Sequence, residues 1–255
     1  MEGVKVLFLD IETAPILGWA WEKYDTTLVG AYRDWTILSV AYKWAGDEVE
    51  CRTIPRPKSL TEFIQNKDND KELVRTVWGL LDKCDIAVAH NGDRFDIRKL
   101  NSRFIYYHLG PPSPYRTVDT KKASSRVSAN TSNKLDDLGQ KYGLGKKLEH
   151  EGFDLWVKCM SGDKEAWENM VAYNKQDVIL LESLHDYLLP WIPNYPNVAM
   201  YVDRPACPHC QSHHLQKRGL QINKTTKRIK YHCQTCGSWC QGVSVPREVR
   251  PSVSI

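Results

Sequence analysis

The chain has 255 residues, of which 42% are hydrophobic and 26% charged, as in ordinary soluble globular proteins. The sequence contains no apolar run of about 18 residues and no signal-peptide pattern, which excludes a transmembrane helix and predicts an intracellular, cytoplasmic protein with no membrane partner. The net charge is +4, but residues 204–255 have nine Lys or Arg and one Glu, so they carry +8 and leave −4 for residues 1–203. This asymmetry predicts two domains with different tasks.

The first predicted element is a strand over residues 4–13, which ends in the acids Asp10 and Glu12. Its near-continuous apolar run is typical of a strand buried on both faces. Side chains alternate along a strand, so both carboxylates point to the same side, about 7 Å apart. The pair predicts a site for a hard cation such as Mg²⁺ or Mn²⁺, or simply two acids that emerge into solvent.

The next segment, residues 19–35, is rich in aromatic residues and has no clear period. We interpret it as a packed loop, with a substrate-contacting lid as the alternative. Residues 36–44 and 48–54 predict a β-hairpin, and helical spacing follows at 60–65 and 70–84. A second buried strand, 85–92, leads into a helix that ends before Gly110 and carries Asp96 in its first turn. Ligands bind at the carboxyl ends of strands in open α/β sheets, but an acid there also complements the helix dipole.

The remaining predicted elements are a short strand at 117–120, a helix at 133–143 with Asn133 as its N-cap, and a long helix at 164–189. Asp136 and Asp137 are explained by capping, so we do not count them as catalytic. Tyr173 and Asp177 lie four residues apart on one side of the long helix. Such a pair is common and means little alone.

Taken together, these acids resemble the motifs of the DEDD (DnaQ-like) 3′-5′ exonucleases. Asp10-Ile-Glu12-Thr13 is similar to their first motif, and Asn91-Gly-Asp-Arg-Phe95-Asp96 is similar to the second motif in proofreading domains of B-family DNA polymerases. Tyr173-Asn-Lys-Gln-Asp177 resembles the third motif of the tyrosine subgroup. The resemblance spans residues 1–190 and implies a ribonuclease H-like α/β fold, a mixed sheet flanked by helices.

The resemblance implies phosphodiester hydrolysis with two divalent ions, Mg²⁺ or Mn²⁺, about 4 Å apart. By family resemblance, Asp10, Glu12 and Asp177 contact the first ion, and Asp10 and Asp96 contact the second. Tyr173, with an unperturbed pKa of about 10, is expected to orient the attacking water rather than to act as a base. Thr13 is expected to grip the terminal nucleotide, and Asn91 and Phe95 to shape its pocket.

The C-terminal region begins after a proline-rich linker at 190–205. Cys207-Pro-His-Cys210 and Cys233-Gln-Thr-Cys236 are paired Cys-x2-Cys knuckles, a pattern that predicts one structural zinc ion in a zinc ribbon over 206–245. The ribbon also resembles those of some insertion-sequence transposases. Five further residues remain as spare ligand candidates: Cys240, His209, His213, His214 and His232. Five basic residues are predicted to contact nucleic acid, with protein binding or a purely structural role as alternatives: Lys217, Arg218, Lys227, Arg228 and Lys230.

The sequence therefore predicts an exonuclease domain at 1–189, a linker at 190–205, a zinc ribbon at 206–245 and a tail at 246–255. The expected activity is metal-dependent 3′-5′ hydrolysis of single-stranded DNA or RNA, assisted by the ribbon. A polymerase or another replication or repair protein is an expected partner, because the chain has no polymerase motifs. The alternatives are a structure-specific endonuclease with the same fold and a catalytically silent adaptor.

Overall fold

A five-stranded mixed sheet forms the centre of the computed structural model, which describes residues 3–22, 24 and 27–245. The chain divides into two compact units: Lys5–His185, and a smaller unit that combines the N-terminal residues up to Val4 with the chain from Asp186 onward. Among the described residues, no helix has the length and apolar character that crossing a membrane requires.

The larger unit and the long helix that leads out of it contain seven strands and seven helices among the described residues. In chain order they are β1 (Val6–Thr13), β2 (Leu17–Trp19), β3 (Gly30–Arg33), β4 (Ile37–Trp44), β5 (Glu50–Thr53), α1 (Leu60–Gln65), α2 (Lys71–Leu81), β6 (Ile86–Ala89), α3 (Asp96–Tyr106), β7 (Arg116–Asp119), α4 (Thr120–Val127), α5 (Leu135–Lys141), α6 (Asp154–Ser161) and α7 (Lys164–Leu188).

The sheet order is β5-β4-β1-β6-β7, with β1 in the centre. β1 runs antiparallel to β4 and parallel to β6, and β6 runs parallel to β7. Leu7, Phe8 and Leu9 are at most 2% exposed, so the strand is buried on both faces, as its apolar run predicts. The pairing with β4 shifts register between Glu12 and Thr13, so the regular ladder ends where the acids stand.

The aromatic segment at 19–35 differs from the predicted loop, because β2 and β3 pair as a two-stranded antiparallel hairpin. Arg33, the last residue of β3, anchors this hairpin. Arg33 is 2% exposed, and its guanidinium group lies 3.9 Å from the centre of the Phe63 ring and donates to the Asn66 carbonyl at 2.9 Å. A buried guanidinium persists only where such acceptors surround it. The segment follows neither helical nor regular strand periodicity, so its pattern gave no sign of this anchor.

Helix α5 begins later than predicted. Its N-cap is Lys134, not Asn133. Asn133 instead accepts a hydrogen bond from the Ser124 hydroxyl at 2.8 Å, and its carbonyl contacts the His90 ring nitrogen at 2.9 Å. These tertiary contacts outweigh the local capping preference. Helices α4 and α6 are additions to the predicted set.

The smaller unit has a three-stranded antiparallel sheet of β8 (Leu215–Ile222), β9 (Lys227–Cys233) and β10 (Trp239–Val245), in the order β10-β9-β8. The proline-rich connection contains two single-turn 3-10 helices, Leu189–Trp191 and Val198–Tyr201. The predicted tail at 246–255 lies outside the described residues.

Candidate active site and zinc cluster

Three of the four predicted acids form one cluster. Asp10 and Glu12 stand on β1, and Asp177 reaches the same place from α7. One carboxylate oxygen of each lies within 4.8 Å of the other two. Burial and the neighbouring carboxylates hold the pKa of Asp10 well above its usual value, and burial with the charge of Asp177 raises the pKa of Glu12 to about 8. Acids so placed repel each other unless cations neutralise them.

The fourth acid, Asp96, lies outside this 4.8 Å group but is electrostatically coupled to it. Asp96 is 2% exposed in the first turn of α3, and its Oδ1 accepts the backbone N–H of Ile11 at 3.2 Å. Burial raises its pKa to about 7, and its charge contributes to the raised pKa of Asp10. The hydrogen bond ties the start of α3 to β1 between the two strand acids.

Tyr173 and Asp177 are joined by a residue that the sequence prediction missed, Lys147. Its ammonium donates to the Tyr173 hydroxyl at 2.9 Å and forms an ion pair with Asp177. Burial alone would lower the pKa of Lys147, but the Asp177 charge and these hydrogen bonds raise it, so the group is a cation. Lys147 comes from the segment between α5 and α6, which has no secondary-structure period. Only the fold reveals the contact.

Burial, followed by the charge of Asp177, raises the pKa of Tyr173 above its ordinary value. The phenol is therefore protonated at neutral pH, which agrees with a hydrogen-bond donor rather than a base. The His150 ring packs edge-on against Tyr173, with centroids 4.7 Å apart, and Trp156 packs against His150 at 5.2 Å. These rings hold the segment that carries Lys147 beside the acids.

Asn174, a second missed residue, orients Asp10. It is fully buried, and its Nδ2 donates to Asp10 Oδ2 at 2.7 Å, while its Oδ1 accepts the Ser39 hydroxyl at 2.9 Å. An amide with both ends engaged leaves the carboxylate of Asp10 in one position. Its place three residues before Asp177, hence on the same side of the helix, was an available signal.

Asn91 forms the turn that follows β6. It adopts a left-handed backbone with φ 69°, and its N–H donates to Asp119 Oδ1 at 3.0 Å. Asp119 also caps α4 by accepting from Lys122 N–H at 3.1 Å. The next residue must be glycine, because a Cβ on Gly92 would lie 2.5 Å from the Cβ of Ala89. These constraints lead the chain into α3 and so place Asp96.

Thr13, the residue that follows Glu12, lines a pocket of about 470 Å³. Aromatic rings and the ammonium group of Lys99 line much of this pocket. Lys99 Nζ lies 3.6 Å from the centre of the Trp35 ring. Phe95 is 38% exposed, near Lys99. The principal lining residues are Thr13, Trp35, Lys99, His150, Phe153 and Trp156.

The four carboxylates suit a hard divalent cation, because each offers anionic oxygen ligands. One observation supports a cation at this place. Asp177 Oδ1 is buried and, among the described residues, has no hydrogen-bond partner. A buried carboxylate oxygen without a donor is costly, and a cation satisfies it. Asp10, Glu12 and Asp177 would hold such an ion together.

The comparisons with known proteins bear on this unit. A family model for the RNase_H superfamily matches residues 7–189. The chain belongs to this superfamily. The RNase H-like fold expected from the motifs is thereby confirmed, and superfamily membership supports a nuclease. A search of curated proteins gives no match.

Among solved structures, the RNase H-like unit is similar in fold to a family B DNA polymerase from the archaeon Pyrobaculum calidifontis. The TM-score is 0.53 and the sequence identity 17%. The match covers 74% of this chain and 25% of the polymerase, so the chain corresponds to about a quarter of that protein. At this identity the likeness concerns the fold.

The smaller unit brings the four knuckle cysteines together. Their four Sγ atoms all lie within 4.8 Å of one another. The Sγ atoms of Cys207 and Cys236 are 3.6 Å apart, and so are those of Cys210 and Cys233. Four sulfurs about 2.3 Å from a tetrahedral zinc ion lie about 3.8 Å apart, so the cluster fits zinc. Within the described residues, none of the five spare candidates joins this group.

The two knuckles share one backbone design. The residue after the second cysteine is left-handed in both, Gln211 with φ 61° and Gly237 with φ 77°. Each donates its N–H to the carbonyl of the first cysteine, at 3.0 Å and 3.1 Å. Backbone N–H groups near Cys233 outweigh its burial and lower its pKa to about 7, which favours the thiolate that binds metal.

The five predicted basic residues of the ribbon do not form one group. In the strand registers, Lys217 pairs with Tyr231, whereas Arg228 pairs with Gln221 and Lys230 with Gln241. Side chains alternate along β9, so Lys227 and Arg228 point to opposite faces, and Arg218 lies in the irregular part of β8.

Proposed function

We propose that the chain is a metal-dependent 3′-5′ exonuclease of the tyrosine DEDD type, acting on single-stranded DNA or RNA. The observation that carries this proposal is the cluster of Asp10, Glu12 and Asp177, together with the buried Asp177 Oδ1, which has no hydrogen-bond partner among the described residues. Superfamily membership supports the nuclease class. The order of the three motifs and the protonated Tyr173 support the exonuclease.

Asp10, Glu12 and Asp177 would hold one divalent ion, with Asp96 contributing to a second. Such ions supply the charge that activates water and stabilises the attacking and leaving oxygens of phosphodiester hydrolysis. Asn174 fixes Asp10 through its amide. We assign the Tyr173 hydroxyl to donate a hydrogen bond to the attacking water, and the Lys147 ammonium now contacts that hydroxyl at 2.9 Å.

The pocket beside Thr13 supports binding at a strand end. Its rings offer stacking surfaces for a nucleobase, and Lys99 adds a positive charge for the backbone. We assign Thr13, Phe95 and the turn at Asn91 to the terminal nucleotide. The zinc ribbon assists by holding the strand, which raises the effective concentration of its end.

We also propose that a polymerase or another replication or repair protein works with this chain. The fold likeness to a quarter of a family B DNA polymerase supports that context. Co-purification with such a protein in the source cells would test it.

The proposed activity is tested with 5′-labelled single-stranded DNA and RNA of one sequence, with Mg²⁺ or Mn²⁺. We expect a ladder that shortens from the 3′ end and that Asp10→Asn and Asp177→Asn abolish. Asp137→Asn, an exposed acid of α5, is the matched control and should retain activity. Discrete internal cuts would instead favour a structure-specific endonuclease. No cleavage with any substrate would favour an adaptor.

A further inference from the structure

The three-stranded sheet of the ribbon has two unlike faces. One face, which we call the Trp239 face, consists of Gln216, Arg228, Lys230, His232, Trp239 and Gln241. Cross-strand pairs place them together: Gln216 and Trp239 both pair with His232, and Gln241 pairs with Lys230. The opposite face carries Leu220, Ile229 and Tyr231 and, two residues after Tyr231 on β9, Cys233.

Trp239 is the central feature of its face. It is 56% exposed, a large fraction for the indole of a small sheet. The His232 ring lies beside it with centroids 4.9 Å apart, and Lys230 Nζ lies 5.9 Å from the centre of its ring. An exposed indole next to an ammonium offers a stacking surface with an adjacent positive charge.

The surroundings of Trp239 are polar and positively charged. Arg228 and Lys230 are two residues apart on β9, so they point the same way, and Gln241 donates to Gln221 at 2.7 Å between the outer strands. Residues 204–245 contain no acidic residue at all. A face of this charge attracts polyanions such as nucleic acid.

We propose that the Trp239 face binds single-stranded nucleic acid, stacking a base on Trp239 and pairing phosphates with Arg228 and Lys230. This proposal rests on the proposed function. It deepens that function because it assigns the single-stranded nucleic acid to one of the two faces of the ribbon sheet. A single strand is specified, since an indole can stack only on a base that is free of its own duplex stack.

The test measures binding of fluorescein-labelled oligothymidylate, 30 nucleotides long, to the full zinc-loaded chain. The chain carries Asp10→Asn, so that no cleavage occurs, and anisotropy is recorded between 50 and 200 mM salt. Trp239→Leu should weaken binding about fivefold or more, the scale of one lost base stack, without changing the salt dependence. Arg228→Gln with Lys230→Gln should weaken binding and reduce the salt slope by about 1.4.

The proposal excludes Lys217 and Lys227 from the five basic residues predicted to contact nucleic acid, because they lie on the opposite face. The matched control is therefore Lys217→Gln with Lys227→Gln, which removes the same charge from that face. We expect its affinity to stay within about twofold of the parent and its salt slope to change by less than half as much. Zinc content and circular dichroism establish that each variant is folded. Equal losses from both pairs would show diffuse attraction and overturn the inference, as would unchanged binding by Trp239→Leu.

Failure of this inference and failure of the proposed function are distinguishable. Cleavage by the chain with Asp10 intact tests the nuclease alone, whereas binding by the Asp10→Asn chain tests the face alone. Normal cleavage with no effect of the Trp239 face would leave the nuclease standing and assign the ribbon to another partner, such as a protein.

Discussion

Lys147 determines how the acids of the site behave before a metal ion binds. Its ammonium pairs with Asp177 in the cluster and neutralises part of the charge there. A divalent cation must compete with this pair for the same carboxylate. We predict that Lys147→Met raises the affinity for Mn²⁺ about tenfold, the scale of one charge-assisted hydrogen bond of about 1.5 kcal/mol.

Isothermal titration of Mn²⁺ into the metal-free chain measures this effect. Lys146→Met is the matched control, because Lys146 is the adjacent lysine and its side chain is 67% exposed beside Glu149. Equal affinities for the two variants would show that Lys147 does not compete with the metal.

The raised pKa values of the acids predict how metal-free stability depends on pH. Folded Asp96 and Glu12 have pKa values of about 7 and about 8, raised chiefly by burial, whereas unfolded carboxyls titrate near 4. Between about pH 4 and pH 8 these two carboxyls therefore hold more protons in the folded state than in the unfolded state. Their contribution to the free energy of unfolding falls as the pH rises through this window.

We expect the melting temperature in EDTA to fall from pH 4.5 to pH 8.5. Asp96→Asn should flatten the fall, because the amide keeps the acceptor for Ile11 N–H and cannot ionise. Mg²⁺ or Mn²⁺ should restore stability at the alkaline end. A melting temperature that rises across this range in EDTA would contradict the raised pKa values.

At the residue scale, the four acids were predicted because together they resemble the three DEDD motifs, whereas each acid alone has an ordinary structural explanation. Lys147 had no such signal, and Asn174 was overlooked although it lies three residues before Asp177 on the same side of α7. Lys147 reaches Asp177 from a segment without periodicity, 30 residues away in the chain. Asn174 contacts Asp10 across 164 residues of chain, and only the packing of α7 against β1 brings the two together.

At the element scale, Asp119 joins β7, α4 and the turn before α3. It accepts N–H groups from Asn91, Asp93 and Lys122. Asp119→Ala removes both acceptor oxygens and the three hydrogen bonds that they accept. We expect a loss of about 2 to 4 kcal/mol in the free energy of unfolding, since a cap and a buried acceptor vanish together.

Urea denaturation measures the loss due to Asp119→Ala. Asp137→Ala in α5 is the control, because Asp137 is exposed. Activity of Asp119→Ala should fall more than its folded fraction does, since the turn also places Asp96. A loss no larger than that of the control would show that the turn holds without Asp119.

The elements with strong periodicity were predictable, including β1, the β4–β5 hairpin and α7. The short helix α4 has no apolar period, and its side-chain cap from Asp119 is the feature that defines it. The β2–β3 hairpin depends on Arg33, whose carbonyl partners lie 30 or more residues further along the chain. Local sequence patterns contain no information about such distant acceptors.

At the scale of the whole molecule, the two units depend on different sources of stability. The larger unit has a continuous apolar core, whereas the ribbon sheet is built around the four cysteines. We predict that Cys233→Ser lowers the zinc content from one ion per chain and removes hydrogen-exchange protection from β8 to β10.

The same variant should leave protection of β1, β4 and β6 unchanged, because these strands lie in the unit with its own core. Cys240→Ser is the matched control, since Cys240 lies outside the cluster, and it should keep the zinc ion. Loss of protection throughout the chain would show that the larger unit needs the ribbon to fold. The predicted domain boundary at residues 189–190 stays a prediction until this is measured.

The most direct measurement compares linear and circular single-stranded DNA of identical sequence, incubated with the chain and Mn²⁺. A 3′-5′ exonuclease needs a strand end, so we predict mononucleotides from the linear DNA and no cleavage of the circle. Asp177→Asn should abolish release from the linear strand. Cleavage of the circle at a rate similar to that of the linear strand would contradict the exonuclease and identify an endonuclease instead.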